Sequence, residues 1–118
     1  MPSMISTQII DWIYGRPAVG VPVFLEKGDD HGWVGVMRGV TGADGFIGSS
    51  GNARLALSRG VYRLTCDINS YFAALGTGCF YHEFTLTFAV ADSTQFSEQT
   101  FAVSPHGCVS FVMRGTSE

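Results

Sequence analysis

The chain is a succession of short apolar runs that are separated by glycine, proline, asparagine and aspartate. Most runs are rich in β-branched and aromatic residues, which is typical of strands. They are Ser6–Asp11, Val21–Lys27, Trp33–Val40, Val61–Asp67, His82–Ala91, Glu98–Val103 and Cys108–Arg114. Residues 48–59 predict a loop with one further short strand. Seven to eight short strands are typical of an all-β, two-sheet sandwich.

One segment predicts a helix instead of a strand. Ser70 is a good N-cap, the residues after it form helices readily, and Gly76 is a typical stop. The pair Asp44-Gly45 is a strong turn signal, since glycine adopts a positive φ without strain. A length of 118 residues predicts a single domain, 1–118, with one short helix.

The composition is unusually poor in charge. Charged residues make up 14% of the chain, against about 25% in an ordinary soluble domain. Hydrophobic residues make up 46%, so many apolar side chains are expected near the surface. Subunit contacts cover such surfaces, and the composition therefore favours an oligomer.

Several classes of function are not expected. The net charge is -3 and no run of Lys or Arg occurs, which argues against nucleic-acid binding. No apolar stretch has the roughly 18 residues of a membrane span, and Met1–Ser6 does not resemble a signal peptide. The odd count of three cysteines argues against a disulfide framework or a zinc site and favours reduced thiols in the cytoplasm. We therefore expect no cofactor and no metal.

Five short motifs together resemble the transthyretin / 5-hydroxyisourate hydrolase family. In chain order they are Ser6–Asp11, Gly15–Ala18, Thr41–Phe46, Gly60–Leu64 and Ser104–Gly107. The resemblance extends over roughly Ile5–Arg114. It implies a transthyretin-like sandwich that assembles as a dimer of dimers, a homotetramer, with ligand channels between the dimers.

The resemblance also shows a departure at the reactive positions. The hydrolases use a His, an Arg and a second His, and these positions here are Gln8, Phe46 and Glu98. A neutral amide is not a general base at neutral pH, and phenylalanine lacks the arginine cation. The hydrolases also end in Tyr-Arg-Gly-Ser, whose tyrosine here aligns with Phe111 or Met113. We therefore expect little or no hydrolysis of 5-hydroxyisourate.

Strand alternation and the resemblance together imply which residues share the channel face. These are Gln8, Ile10, Phe46, Glu98, Thr100, Ala102, Val109, Phe111 and Met113. The face would be mostly apolar with one acid and one amide, which suits a hydrophobic small molecule with few polar groups.

Glu98 is the main candidate for chemistry. Between Phe46 and Phe111 its carboxylate would be desolvated and able to transfer protons near neutral pH. Gln8 would orient a carbonyl or a developing oxyanion, and Thr100 would hold a water or a hydroxyl. The alternative interpretation is that Glu98 and Gln8 are ordinary solvated strand residues.

Two further residues have open interpretations. His106 is either a packed turn residue or an acid/base at the channel mouth. Cys108 is out of phase with Val109 and is expected to face the core, where thiols are usually inert.

Two classes of function remain from the sequence. The chain is either a diverged enzyme that opens, closes or isomerises an apolar ring, with secondary metabolism as its setting, or a binding protein that holds such a ligand unchanged. A desolvated acid favours the enzyme, because burying a carboxylate costs free energy and a binding protein would gain nothing in return. An inactive scaffold homologue is the third possibility.

Overall fold

A computed structural model describes residues 3–47, 54–91 and 95–116, and every structural statement below refers to these ranges. They form nine strands and one helix, α1 (Ile68–Ala74). The strands are β1 (Ser3–Asp11), β2 (Arg16–Pro17), β3 (Pro22–Asp29), β4 (Gly32–Val40), β5 (Arg54–Leu57), β6 (Gly60–Cys66), β7 (Phe84–Val90), β8 (Gln95–Ser104) and β9 (Gly107–Thr116).

The strands form two sheets. The first sheet has the order β2-β1-β8-β9, with β5 also paired to β1, and the second has the order β4-β3-β6-β7. Strands β1 and β8 run parallel, and all other pairs are antiparallel. The predicted two-sheet sandwich is confirmed, and the strand beyond the predicted seven or eight is the two-residue β2.

The core lies between the sheets and takes alternate residues from each. Ile9 and Phe101 reach it from the first sheet, and Leu25 and Leu64 reach it from the second. All four are at most 3% exposed. Burial of each such side chain contributes about 1.5–3 kcal/mol, and their alternation leaves the other face of each strand available to ligands or subunits.

The helix begins earlier than predicted. It starts at Ile68, and its N-cap is Asp67 instead of Ser70. One Asp67 carboxylate oxygen accepts a hydrogen bond from the Ser70 backbone N–H at 3.0 Å, and the other accepts from the Ser70 hydroxyl at 2.6 Å. Ser70 thus bonds to the cap and is not itself the cap. The predicted stop is confirmed, since Gly76 follows with φ +75°.

A buried carboxylate holds the turn after β1 against the helix. Asp11 is fully buried, and its Oδ1 accepts from the backbone N–H groups of Ile13 at 2.9 Å and Tyr14 at 3.0 Å. Its Oδ2 accepts from the Tyr71 hydroxyl at 2.6 Å. These bonds compensate the cost of burying the charge and fix the turn at residues 12–15 relative to α1.

We predict that Tyr71→Phe lowers the free energy of unfolding by about 1.5–3 kcal/mol, because it removes a hydrogen bond to a charged group. Urea denaturation at pH 7 measures the loss. Tyr14→Phe is the matched control, since Tyr14 is 52% exposed, and its loss should be near zero. Equal losses in the two variants would contradict the structural role of Tyr71.

The difference in unfolding free energy between wild type and Tyr71→Phe should also depend on pH. Burial, with a smaller contribution from the bond to Asp11, raises the pKa of Tyr71 to about 12 from 10.0. The neutral phenol is therefore favoured in the folded state. The advantage of wild type over Tyr71→Phe should be complete below about pH 10 and should disappear as the pH rises through 12.

Candidate functional site

The outer face of the first sheet carries the residues that the sequence singled out. Along β1 and β8, Ile9, Phe101 and Val103 are buried in the core. The alternating residues Gln8 and Thr100 are half-buried on the opposite side. This alternation separates a core-facing set from a set available to a ligand.

The strand register arranges this outer face in three rows. The first row runs through Phe46, Gln8, Thr100 and Phe111. The second runs through Ile10, Ala102 and Val109, and the third through Arg54, Ser6, Glu98 and Met113. Phe111 and Met113 are placed here by backbone register. All nine residues expected on the channel face therefore occupy adjacent rows.

Glu98 is less enclosed than the first of its two interpretations from the sequence requires. It is exposed in a single protomer, and its neighbours in register are Ser6 and Met113. Phe46 and Phe111 belong to the adjacent row, so they do not stand directly beside it. Desolvation of this carboxylate therefore requires another molecule, either a ligand or a second subunit.

Gln8 holds the loop that carries Phe46. Its Nε2 donates a hydrogen bond to the Asp44 carbonyl oxygen at 2.8 Å. Asp44 Oδ1 in turn accepts from the Phe46 backbone N–H at 3.0 Å. One N–H of Gln8 thus positions the loop of Phe46, and its carbonyl oxygen and second N–H have no hydrogen-bond partner among the side chains that the structure describes.

The loop approaches β1 so closely that only glycine fits at its tip. Gly45 has φ +80°, and a Cβ there would lie 2.5 Å from the Ile9 carbonyl oxygen. The Ile9 N–H donates to the Gly45 carbonyl oxygen at 2.9 Å. This close approach explains why glycine follows Asp44 in the predicted turn. It also fixes Phe46 beside Gln8.

A groove of about 520 Å³ lies at one end of this face. Two of its lining residues, Ala102 and Val109, were expected on the channel face. Trp12 and Ile13 form another wall and are 62% and 56% exposed. His106 also lines the groove and is exposed, which fits its interpretation as a group at the channel mouth and not as a packed turn residue. The size is within the range of small-molecule sites.

Three residues of this region were not expected from the sequence. The sequence could have indicated Trp12 and Ile13, because two large apolar residues beside a turn are typical of an exposed contact surface. Arg54 lies in a segment predicted only as a loop with a short strand. Its position in the row of Glu98 follows from the pairing of β5 with β1, which a local pattern does not reveal.

Cys108 is a further reactive group of this region. Cys108 packs against the core as expected, and burial raises the pKa of its thiol to about 11. A thiol at that pKa is protonated at neutral pH and is a poor nucleophile.

Within the described ranges, no group of three His, Cys, Asp or Glu residues is arranged to bind a metal ion. No helix in those ranges has the length and apolar character needed to cross a membrane.

Comparison by sequence relates the chain to one family. A model of the HIUase/Transthyretin family matches residues 5–111. The 5-hydroxyisourate hydrolases of Salmonella dublin and Salmonella typhi are each 29% identical over 105 residues, which is 89% of this chain and 76% of theirs.

Comparison by structure gives the same result for the fold. Transthyretin from Sparus aurata superimposes with a TM-score of 0.85 at 22% identity, over 95% of this chain and 97% of that protein. The 5-hydroxyisourate hydrolase of Klebsiella pneumoniae superimposes with a TM-score of 0.75 at 28% identity, over 97% of this chain and all of that protein.

We predict that Gln8→Glu destabilises the protein by about 1–3 kcal/mol at pH 7, because a carboxylate cannot donate to the Asp44 carbonyl oxygen. Below about pH 4 the new carboxyl is protonated and donates again, so the loss should shrink. Urea denaturation at both pH values measures the difference.

Thr87→Glu on the exposed face of β7 adds the same charge without removing this bond. It should change stability much less than Gln8→Glu at pH 7. If Gln8→Glu were as stable as wild type at pH 7, Gln8 would not hold the loop.

Proposed function

The chain belongs to the HIUase/transthyretin family, and we propose that it is a diverged enzyme of that family that acts on an apolar cyclic small molecule. One observation carries this proposal. The positions that resemble the hydrolase His, Arg and His come together on one face as Gln8, Phe46 and Glu98. This adjacency supports a site at the same location as in the hydrolases, with different functional groups.

Glu98 would transfer the proton. Ring opening, ring closure and isomerisation each need a base that removes a proton and an acid that returns it. A single carboxylate performs both steps in turn and ends in its starting state. The free N–H of Gln8 would stabilise negative charge that develops on a carbonyl oxygen, and the Thr100 hydroxyl would hold a water or substrate hydroxyl.

The surrounding residues favour an apolar substrate. Ile10, Ala102 and Val109 form the row beside Gln8 and Thr100, and Phe46 stands where the hydrolases carry a cation. A polar urate derivative would lose its hydration beside these apolar side chains, and Phe46 offers it no ion pair. A hydrophobic ring with one or two polar substituents fits the same surface.

A homotetramer would complete the site. Large apolar side chains are exposed at this end of the protomer, with Trp12 62%, Ile13 56% and Val109 52% exposed. A facing subunit would cover them and would remove water from around Glu98. The three free cysteines agree with a cytoplasmic setting, and secondary metabolism is the pathway class that we propose.

A non-catalytic binding protein for a hydrophobic small molecule is the second candidate. The exposure of Glu98 in the protomer supports it, because proton transfer by this residue depends on its desolvation. Sea bream transthyretin, a structural neighbour with a TM-score of 0.84 and 22% identity, has been solved in complex with thyroxine.

We predict that the wild-type protein does not hydrolyse 5-hydroxyisourate above the uncatalysed rate, because Gln8 is a neutral amide where the hydrolases carry a histidine and Phe46 lacks the cation that would hold the polar substrate. The triple variant Gln8→His/Phe46→Arg/Glu98→His should gain at least about tenfold in rate. Absorbance of freshly generated 5-hydroxyisourate measures both. Circular dichroism controls for folding, and substantial turnover by wild type would refute the prediction.

We predict that Glu98→Gln abolishes product formation when the protein is incubated with metabolite extracts of its source and analysed by mass spectrometry. The amide keeps the shape of the side chain and cannot carry the proton, so a rate loss of at least about 100-fold is expected. Glu83→Gln, at an exposed acid outside the channel face, is the matched control.

A metabolite that both wild type and Glu98→Gln retain unchanged would establish the binding protein instead. Light scattering on the same samples tests the assembly. A monomer in solution would contradict both forms of the proposal, since no facing subunit would then enclose the site.

A further inference from the structure

The outer face of the second sheet contains a separate groove of about 450 Å³. Its floor follows the register of β4, β3 and β6. Arg38, Phe24 and Thr65 form one row, and Val40 and Pro22 form the next. This groove is on the opposite side of the sandwich from Glu98, so it is independent of the proposed function.

The cation of this groove is held in place. The Arg38 guanidinium lies over the Phe24 ring, with its central carbon 4.3 Å from the ring centroid. Stacking of this kind restricts a flexible side chain and leaves the N–H groups at the edge of the guanidinium plane free to donate. The groove therefore presents a preorganised fork of donors beside an apolar floor.

The neighbouring acid does not neutralise this cation. Glu26 forms a two-pronged ion pair with Arg63, with distances of 2.7 Å and 3.2 Å. The hydrogen bond from Arg63 is the main cause of the lowered pKa of Glu26, and Arg38 contributes least. Glu26 thus stays ionised and engaged with Arg63, and these three side chains carry a net charge of +1.

A carboxylate stands at the other end of the groove. Asp67 lines the groove, and its backbone N–H donates to the Pro22 carbonyl oxygen at 2.9 Å. Its carboxylate caps α1 through Ser70 and has lone pairs left for another donor. Arg38 lies on β4 and Asp67 directly follows β6, so they flank Phe24 and Pro22 from opposite sides, at a backbone separation of roughly 10 Å or two strand spacings.

We propose that this groove binds a flat aromatic carboxylate that carries a hydroxyl at its far end. The carboxylate accepts from the fork of Arg38, the ring lies against Pro22, Val40 and the edge of Phe24, and the hydroxyl donates to Asp67. The positive charge of Arg38 favours a ligand with a carboxylate, and the position of Asp67 favours one with a hydroxyl at its other end. A volume of about 450 Å³ accommodates a molecule of two fused rings.

The test uses 6-hydroxy-2-naphthoate as the probe and methyl-labelled protein in NMR titrations. Resonances of Val40 and Thr65 should shift, and Arg38→Gln should weaken binding by about tenfold. 2-Naphthol, which lacks the carboxylate, should bind wild type and Arg38→Gln equally weakly. Arg16→Gln is the matched control, since Arg16 also lies over an aromatic ring, that of Tyr14, at 5.1 Å.

Three outcomes would overturn the proposal. They are equal affinity of wild type and Arg38→Gln for the probe, shifts confined to Val109 on the first sheet, and no shifts at millimolar probe. A tighter complex with an acidic peptide than with the probe would assign the groove to a protein partner instead. Because Arg38 is exposed, its substitution leaves the core intact and does not confuse binding with folding.

Discussion

The parallel pairing of β1 with β8 is the constraint on which the candidate site depends. Strand β1 also pairs with β2 and β5, so one strand connects most of the first sheet. Pairing Gln8 with Thr100 places Ile9 and Phe101 in the core and leaves the alternating residues outside. A slip of one residue would exchange the two sets and put polar groups in the core. Core packing and site composition are thus fixed by the same register.

Two polar contacts connect β1 to other parts of the fold. Asp11 ties the end of β1 to Tyr71 of the helix, and Gln8 ties its middle to the loop that carries Phe46. Gln8 is therefore both a structural residue and a residue of the candidate site. A glutamine at this position is compatible with an intact scaffold, because its amide supplies the donor that the loop requires.

Much of the fold was predictable because local patterns specify it. The alternation along Glu98–Val103 correctly predicted a strand, and the Asp44-Gly45 pair correctly predicted the turn. The cap at Asp67 and the position of Arg54 were not predicted, since each depends on a partner that only the folded chain brings near. The exposure of Glu98 in one protomer agrees with the alternative interpretation from the sequence, because a local pattern does not reveal whether a neighbouring molecule covers the side chain.

The two outer faces differ in the hydrogen-bonding groups that they offer a ligand. The first sheet presents the Glu98 carboxylate and the Gln8 carbonyl oxygen among apolar residues, so it favours a neutral ring with a donor. The second presents the fork of Arg38 beside Phe24, so it favours an anion. Because the core separates the two faces, substitution on one should leave ligand affinity on the other nearly unchanged. The sandwich thus has room for two chemically distinct sites on a scaffold of this size.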